Sequence, residues 1–286
     1  MQPPRACKNA RARIVVLFHS AAGGTRLVAE LLGELLSPDH DVQVTSIFAP
    51  AAVDDFRGAD FVVLCYPTYF LRPSPSMREF IGRLGDGGGR RRAYLVTTYE
   101  LYTENSLRAC ALLLKGKGTI VTGSAAIRAP GSDLTCVVPD RLCGWLYRFE
   151  RGMPEKLRSI ARDVSTLAVG TAAERLPRWK WYTPAARALQ WLFDGFFAWR
   201  ARIHILPERC TACGACITRC QRGAWVKADG TIRHLPDRCE LCTACIHHCA
   251  RHAIVLAAAL RDNRRLDDRH YADLRGHARR ALLPYG

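Results

Sequence analysis

The sequence predicts an α/β protein, in which a doubly wound parallel sheet is followed by a small α+β domain rich in cysteine. Two observations support this fold class. Short apolar runs alternate with helical stretches through the first half of the chain, which is typical of a parallel sheet with helices on both faces. Eight of the 13 cysteines then fall in two runs of identical spacing between residues 210 and 249.

Five segments of the first half are predicted to be strands, with helices between them. Buried strands of a parallel sheet are short, continuous and rich in β-branched residues, whereas helices repeat apolar residues every three to four positions. The strand segments are "RIVVLF" (13–18), "VQVTSIF" (42–48), "DFVVLCY" (60–66), "RAYLVTTY" (92–99) and "GTIVTG" (118–123). One helical segment begins at Thr25, and three others cover 76–84, 106–114 and 155–168.

The length of 286 residues indicates about two domains. Because 49% of the residues are hydrophobic, the composition indicates a folded protein. The formal net charge is +16. Residues 141–202 contribute the largest share of it, +7, with 12 basic and 5 acidic side chains. Such a segment can be a solvated surface, or it can attract an acidic protein, an anionic membrane surface or nucleic acid. No nucleic-acid-binding motif accompanies the charge, so a nucleic-acid partner is not expected.

No uncharged run approaches the ~18 residues that a membrane-spanning helix needs. The basic start of the chain lacks the long apolar run and cleavage site of a signal peptide, so we expect a cytoplasmic protein. Residues 177–203 are rich in Trp and Phe. They could form a helix lying on a membrane, but their aromatic side chains fall on more than one helical face. A basic helical bridge over 171–202 that packs the two domains together is therefore the favoured interpretation.

The cysteine runs share the spacing C-x2-C-x2-C-x3-C. Disulfides, zinc and an iron–sulfur cluster are the three possible reasons for such density. Disulfides are rare in the cytoplasm, and zinc sites usually pair two C-x2-C turns across a longer loop. Three thiolates on one tight turn favour an iron–sulfur cluster. The first run is Cys210, Cys213, Cys216 and Cys220, and the second is Cys239, Cys242, Cys245 and Cys249.

This segment resembles the bacterial ferredoxins with two 4Fe–4S clusters, in Gly214 and in the strand-like "RGAWV" and "RHAIV" that follow the runs. The chain departs from that family at Gln221 and Ala250, where a proline is usual. His247 and His248 are expected to be exposed loop residues, or else to tune the cluster by their charge. The resemblance implies that the fourth ligand of each cluster comes from the other run. One cluster would take Cys210, Cys213, Cys216 and Cys249, and the other Cys239, Cys242, Cys245 and Cys220.

The loop after the first strand, "FHSAAGGTRLVAE" (18–30), is a candidate anion site. A small-residue loop that leads into a helix points backbone N–H groups and the helix dipole at a phosphate. Ser20 and Thr25 add hydroxyl groups, and Gly23 and Gly24 allow close approach. The loop is neither G-x-G-x-x-G nor a Walker loop, so it does not indicate nicotinamide or ATP.

The first half as a whole resembles the flavodoxins, whose loop of the form S-x-T-G-x-T binds the phosphate of FMN. Ser20, Gly23 and Thr25 match that form, whereas Ala22 replaces a threonine. Two later loops, 66–75 and 97–106, would enclose the flavin ring, although their tyrosines could equally cap the edge of the sheet. The implied phosphate contacts are Ser20, Ala21, Ala22, Gly23, Gly24 and Thr25. The implied ring contacts are Pro67, Thr68, Tyr69 and Phe70 on one wall and Tyr99, Glu100, Leu101 and Tyr102 on the other.

Together these features resemble a family of flavodoxin–ferredoxin fusion proteins. The expected divisions are a flavodoxin-like domain (10–170), the bridge (171–202), a two-cluster ferredoxin domain (203–256) and a charged tail (257–286). The resemblance implies electron transfer between two 4Fe–4S clusters and FMN, with a redox protein, possibly acidic, as partner. Two alternatives stay open: a flavin-dependent oxidoreductase acting on a small molecule, for which no catalytic residue stands out, and a carrier whose first domain is a flavin-free docking module.

Overall fold

The computed structural model describes most of the chain. The described residues are 11–69, 71–85, 91–100, 102–103, 105–137, 139, 144–171, 173–185, 188, 191, 203–256 and 265–282.

A parallel sheet forms the centre of the first domain. The strands are β1 (Arg13–Phe18), β2 (Asp41–Ser46), β3 (Phe61–Tyr69), the short β4 (Arg72–Pro73) antiparallel to the end of β3, β5 (Arg91–Tyr99) and β6 (Thr119–Arg128). All five predicted strands are present. The five main strands lie in the order β2-β1-β3-β5-β6, and each pairs in parallel with its neighbour. This is the strand order of the flavodoxin-like doubly wound fold, so the predicted fold class is confirmed.

Helices cover both faces of this sheet, because alternate residues of each buried strand point to opposite sides. Ile14 and Val16 of β1 pack against one pair of helices, and Val15 and Leu17 pack against the helices on the other face. The first pair is α1 (Gly24–Leu36) and α6 (Met153–Val169), which follows a 3-10 helix (Leu146–Gly152). The other face carries α2 (Ala52–Gly58), α3 (Pro75–Arg83) and α4 (Ser106–Lys115), and a one-turn α5 (Leu134–Val137) follows β6.

The cysteine-rich domain is built from short elements around a small core. Trp225, Ile232, Ile246 and Ile254 are buried in it together with several of the cysteines. Two antiparallel strand pairs frame this core: residues 204–205 with 254–255, and residues 225–228 with 231–234. The elements are β7 (His204–Ile205), α7 (Ala215–Arg219), β8 (Trp225–Ala228), β9 (Thr231–His234), a 3-10 turn (Pro236–Arg238), α8 (Ala244–His247) and β10 (Ile254–Val255).

The segment predicted as a charged tail contains a helix that belongs to the first domain. This helix, α9 (Asp268–Leu282), lies against α1 and α6. A stripe of four side chains at every fourth position is buried: His270, Leu274, Ala278 and Leu282. The last three belong to the same hydrophobic cluster as α1 and α6.

Most of the predicted aromatic helix 177–203 lies outside the described residues. In the part that is described, the tryptophans are exposed, Trp181 at 81% and Trp191 at 76%. The start of this segment is tied to the first domain, because Asn105 Nδ2 donates to Thr183 Oγ1 at 2.9 Å. None of the helices in the described part of the chain has the length and apolarity that a membrane span requires.

Candidate functional site

The two cysteine runs fold into similar turns, 29 residues apart. Each turn places three residues in the left-handed backbone region, with φ between +51° and +81°. This region is strained for residues other than glycine, and such strain is found where a backbone is held around a ligand. The sulfur of each run's last cysteine accepts a hydrogen bond from a backbone N–H four residues on, at 3.3 Å in both turns. The equivalent left-handed pairs are Ala212 and Leu241, Gly214 and Thr243, and Gly223 and His252.

Cysteines from both runs meet at the first site. Burial raises the pKa of Cys216 to about 11, and the neighbouring charges of Cys210 and Cys249 add to the shift. Cys249 comes from the second run, so the structure brings it to the turn formed by the first. Cys213 lies on the same turn and is exposed. The first site is therefore close to the protein surface.

A cavity at the second site is lined by four cysteines: Cys239, Cys242 and Cys245 from the second run and Cys220 from the first. Burial raises the pKa of Cys242 to about 12, with further contributions from the charges of Glu240, Cys239 and Cys220. Leu241 N–H points at Cys239 Sγ at 3.4 Å.

The cysteines at the second site fit an iron–sulfur cluster. Four soft thiol groups surround one cavity, and backbone N–H groups point at two of their sulfurs, which is the donor set such clusters use. Within the part of the chain that the structure describes, there is no group of three or more His, Cys, Asp or Glu side chains placed to hold a single metal ion.

His247 is buried rather than exposed, so the expectation of an exposed loop residue is wrong for it. Its side chain is hydrogen bonded on both nitrogens: Nε2–H donates to the carbonyl of Ser132 at 2.7 Å, and Leu266 N–H donates to Nδ1 at 3.1 Å. Burial lowers the pKa of His247 to about 4. The imidazole is therefore neutral near pH 7, and its hydrogen bond to Ser132 connects the cysteine-rich domain to the first domain.

A buried carboxylate joins the second site to the end of β1. Glu240, next to Cys239, contacts His19 Nε2 at 3.1 Å and accepts hydrogen bonds from Ser76 Oγ at 2.7 Å and Ser76 N–H at 3.2 Å. His19 is hydrogen bonded in turn to Ser74 at 2.7 Å. Burial alone would raise the pKa of Glu240, but the hydrogen bonds and the charge of His19 hold it below its ordinary value. The second cysteine turn is thus docked on the carboxyl edge of the parallel sheet.

The predicted phosphate loop lies between β1 and α1 and is covered by α9. Gly23 has a φ of +130°, and a methyl group added there would lie 2.5 Å from Cδ2 of Tyr271. The Tyr271 hydroxyl lies beside Gly24, 3.3 Å from a methyl group added there, and the carbonyl of Ala22 accepts a hydrogen bond from His248 Nε2 at 3.2 Å. Ser20 and Thr25 are buried and Ala21 is partly exposed. Thr25 Oγ1 is hydrogen bonded to Thr98 Oγ1 at 2.7 Å.

The two predicted walls of the flavin site are at the same edge of the sheet. On the first wall, Thr68 Oγ1 is hydrogen bonded to Thr97 Oγ1 at 2.8 Å, and Pro67 is buried. Burial raises the pKa of Tyr69, and the charges of Cys242 and Glu240 raise it further, so this tyrosine lies beside the second site. Phe70 lies outside the described residues.

On the second wall, Glu100 accepts a hydrogen bond from Gly131 N–H at 3.0 Å, and burial together with Asp133 raises its pKa to about 7. Tyr99 is partly buried and Tyr102 is 62% exposed. Leu101 lies outside the described residues. The structure therefore gathers the predicted flavin residues at one edge, but Tyr271 covers the loop where a flavin phosphate would bind.

Three residues at the candidate site are not predicted from the sequence: His19, Glu240 and Tyr271. His19 and Glu240 stand next to predicted site residues, but no local pattern pairs them, since Glu240 is 164 positions from its partner Ser76 and farther still from His19. For α9 a signal exists in the four-residue spacing of its apolar positions, although spacing alone does not reveal which helix it contacts.

Comparison with known proteins gives one family match, to the 4Fe-4S binding domain over residues 203–226. No curated protein matches the chain. The solved structures that it is similar to include a flavodoxin from the domain Archaea, with 16% identity over 55% of this chain and 99% of that one and a TM-score of 0.42. A WrbA-like flavodoxin from Agrobacterium tumefaciens has 18% identity over 55% of this chain and 97% of its own, with a TM-score of 0.41.

A third similar structure is the two-electron reduced flavodoxin of Megasphaera elsdenii, with 15% identity over 54% of this chain and 98% of its own and a TM-score of 0.39. The chain thus joins a flavodoxin-like domain, identified by its strand order, to a ferredoxin-type 4Fe–4S domain. This combination indicates a role in electron transfer.

Proposed function

We propose that this protein transfers electrons through two 4Fe–4S clusters, each held by three cysteines of one run and the fourth of the other. The observation that carries the proposal is the cavity in which Cys220 of the first run joins three cysteines of the second. Such crossing is the arrangement of two-cluster ferredoxins, in which it keeps the clusters close together. When bound, each cluster supplies one-electron redox chemistry.

The surroundings of the two sites support different roles in the same transfer. Cys213 is exposed, so the first site can exchange electrons with a partner at the surface. The second site is lined by Trp225 and lies against the flavodoxin-like domain, where Glu240 fixes its turn. Such packing keeps water away from the buried sulfurs, and solvent exposure is one of the factors that set a cluster's potential.

The partner that fits this chain is an acidic redox protein in the cytoplasm. Residues 141–202 carry 12 basic and 5 acidic side chains, which would attract such a partner before contact. Attraction between surface charges is screened by salt. The rate of electron exchange with an acidic carrier should therefore fall as the ionic strength rises, and a rate that does not change with salt would argue against this choice of partner.

The proposal is tested by purifying the full chain without oxygen and measuring iron, acid-labile sulfide and the electron paramagnetic resonance (EPR) spectrum of the reduced protein. Two clusters require about eight iron and eight sulfide per chain, and two interacting signals. A colourless protein without iron or sulfide, after assembly in cells able to make clusters, would exclude the proposal. About four iron per chain would limit it to one cluster.

A second candidate function includes FMN in the flavodoxin-like domain, as a relay between the clusters and a two-electron partner. It is favoured by the position of Tyr69 beside Cys242, since a flavin ring on that wall would adjoin the second site. In the present arrangement the residues do not fit FMN, because the Tyr271 ring covers Gly23 and Gly24. Extraction of the purified protein, followed by chromatography of the released flavin, distinguishes this candidate from a flavin-free carrier.

A further inference from the structure

We propose that the Tyr271 side chain fills the place in the phosphate loop where the phosphate of FMN would bind. Tyr271 of α9 and that phosphate would then compete for the loop. Tyr271 would then determine whether the flavodoxin-like domain accepts a phosphate monoester. This inference concerns the second candidate function and does not depend on the clusters.

The contact between Tyr271 and the loop has the character of a bound ligand. Methyl groups added at Gly23 and Gly24 would come within 2.5 Å of the ring and 3.3 Å of its hydroxyl, so the two glycines leave just the room that the side chain fills. The hydroxyl oxygen therefore lies at Gly24, the first residue of α1. In a phosphate loop, the backbone N–H groups at this position bind the anion.

The backbone on both sides of Tyr271 is held in place, so the ring is not a loosely attached cover. His270 Nε2 lies 2.9 Å from Glu150 Oε1 in a buried contact. Farther along α9, Arg275 pairs with Glu30, and Arg279 Nε donates to Glu34 Oε2 at 2.9 Å. Both glutamates are on α1, the helix that begins in the loop itself. The same helix that forms the phosphate site thus anchors the segment that covers it.

The loop is also tied from the cysteine-rich domain. His248 Nε2 donates to the carbonyl of Ala22 at 3.2 Å, and Arg219 of α7 pairs with Asp268 at the start of α9. The loop, α9 and the first cysteine turn therefore meet at one place. For a phosphate to enter, the ring of Tyr271 must leave Gly23, which requires a new rotamer or a shift of the start of α9.

The test is the affinity of the full-length, cluster-loaded protein for FMN, measured by quenching of flavin fluorescence in wild type, Tyr271→Ala, Tyr271→Phe and Leu282→Ala. We expect Tyr271→Ala to bind FMN about tenfold or more tightly than wild type, since occupancy by a competing group lowers apparent affinity by the fraction of open sites. Tyr271→Phe keeps the ring over the loop and should stay within about threefold of wild type. Leu282→Ala loosens the far end of α9 and should leave the affinity unchanged.

Equal affinity of wild type and Tyr271→Ala would overturn the proposal, and so would absence of FMN binding in every variant or an equal gain in Leu282→Ala. If Tyr271→Ala does not fold, hydrogen exchange of the wild type with and without excess FMN decides instead. Amides of 268–274 should exchange at least about threefold faster with FMN present, and unchanged exchange refutes competition. Iron and sulfide are measured on the same samples, so failure here is distinct from failure of the cluster proposal.

Discussion

The two cysteine turns have the same spacing and the same left-handed backbone positions, but they lie in different surroundings. In the first turn, the residue after the first cysteine is Thr211, which is exposed. In the second it is Glu240, which is 8% exposed and bound to the flavodoxin-like domain. The ligand pattern is thus local, whereas burial, charge and attachment are set by the neighbouring domain. Solvent exposure and neighbouring charge are among the factors that set the potential of an iron–sulfur cluster, so the proposed clusters at the two turns should differ in potential.

The largest effect is expected from removing one ligand of each site. Cys213→Ser and Cys242→Ser should each lose about half of the iron, because a cluster needs four cysteines. Only Cys242→Ser should also lower the melting temperature of the whole chain, since its turn is docked on the sheet. Iron analysis and calorimetry without oxygen measure the two effects. Cys249→Ser is the control for crossing: loss of the second site's EPR signal, instead of the first's, would show that the fourth ligands are not exchanged.

The substitution Glu240→Ala removes the contacts with His19 and Ser76 that hold the second turn against the flavodoxin-like domain. We expect a loss of about 3 kcal/mol in the free energy of unfolding, because removing one member of a buried pair leaves the other without a partner. Since the pKa of Glu240 is lowered in the folded state, the carboxylate contributes fully above its ordinary pKa of 4.5, and its contribution disappears as pH falls through the lowered value. Guanidinium unfolding near pH 7 measures the loss. Thr211→Ala, at the equivalent exposed position, should change stability by less than about 0.5 kcal/mol, and an equal loss there would remove the contrast.

Glu100 should make the stability of the folded protein depend on pH. Its carboxylate accepts a hydrogen bond from Gly131 N–H, next to Ser132, whose carbonyl accepts a hydrogen bond from His247. Burial is the main cause that raises the pKa of Glu100 to about 7. The folded state therefore keeps a proton that the unfolded chain releases above about pH 4.5. Stability should therefore fall as pH rises between these values. The fall should be smaller in Glu100→Gln by on the order of 2 kcal/mol, after allowance for partial exposure.

Unfolding free energies of wild type and Glu100→Gln at pH 5 and pH 8 measure this difference. Asp54→Asn, which replaces a highly exposed carboxylate, is the matched control and should follow wild type at both pH values. Parallel pH profiles for wild type and Glu100→Gln would contradict the assignment.

The smallest effect tests the shared backbone of the turns. Gly214 has a φ of +81°, and an added methyl group would meet nothing within 4 Å. Gly214→Ala should therefore cost about 1 kcal/mol from backbone strain alone. Gly82→Ala in α3 also meets nothing, but its helical backbone favours alanine, so that variant should gain up to about 1 kcal/mol. Denaturant titrations of the two variants should move in opposite directions, and a neutral Gly214→Ala would mean that the first turn is free to relax.

Much of the fold follows from patterns that neighbouring residues share. The apolar runs of β1 and β3 predict buried strands, and the three- to four-residue spacing of α6 predicts a helix, because periodicity reports which face is covered. The seven-residue α2 and the two-residue β4 are missed, since segments this short contain too few periods to stand out. The resemblance to flavodoxins implies that Pro67, Thr68 and Glu100 lie at one edge of the sheet, and the structure places them there.

The two cysteine turns of the candidate site could be predicted from the sequence, but the residues that enclose them could not. The C-x2-C-x2-C-x3-C spacing identifies eight cysteines, because three thiolates on one turn are a local arrangement. The contact of Glu240 with His19 and of Tyr271 with Gly23 joins distant parts of the chain. No periodicity records such contacts, since each partner alone has an ordinary local sequence.

The amino-acid order by itself determined the sheet, its helices and the two cysteine turns, because these depend on interactions within a few residues. Only the tertiary structure decided that the residue after the first cysteine is exposed in one turn and buried against His19 and Ser76 in the other. It also decided that α9 places Tyr271 over the phosphate loop. The physical reason is that burial is a property of surfaces brought together by the whole fold. A residue's own neighbours in the chain do not determine what covers it.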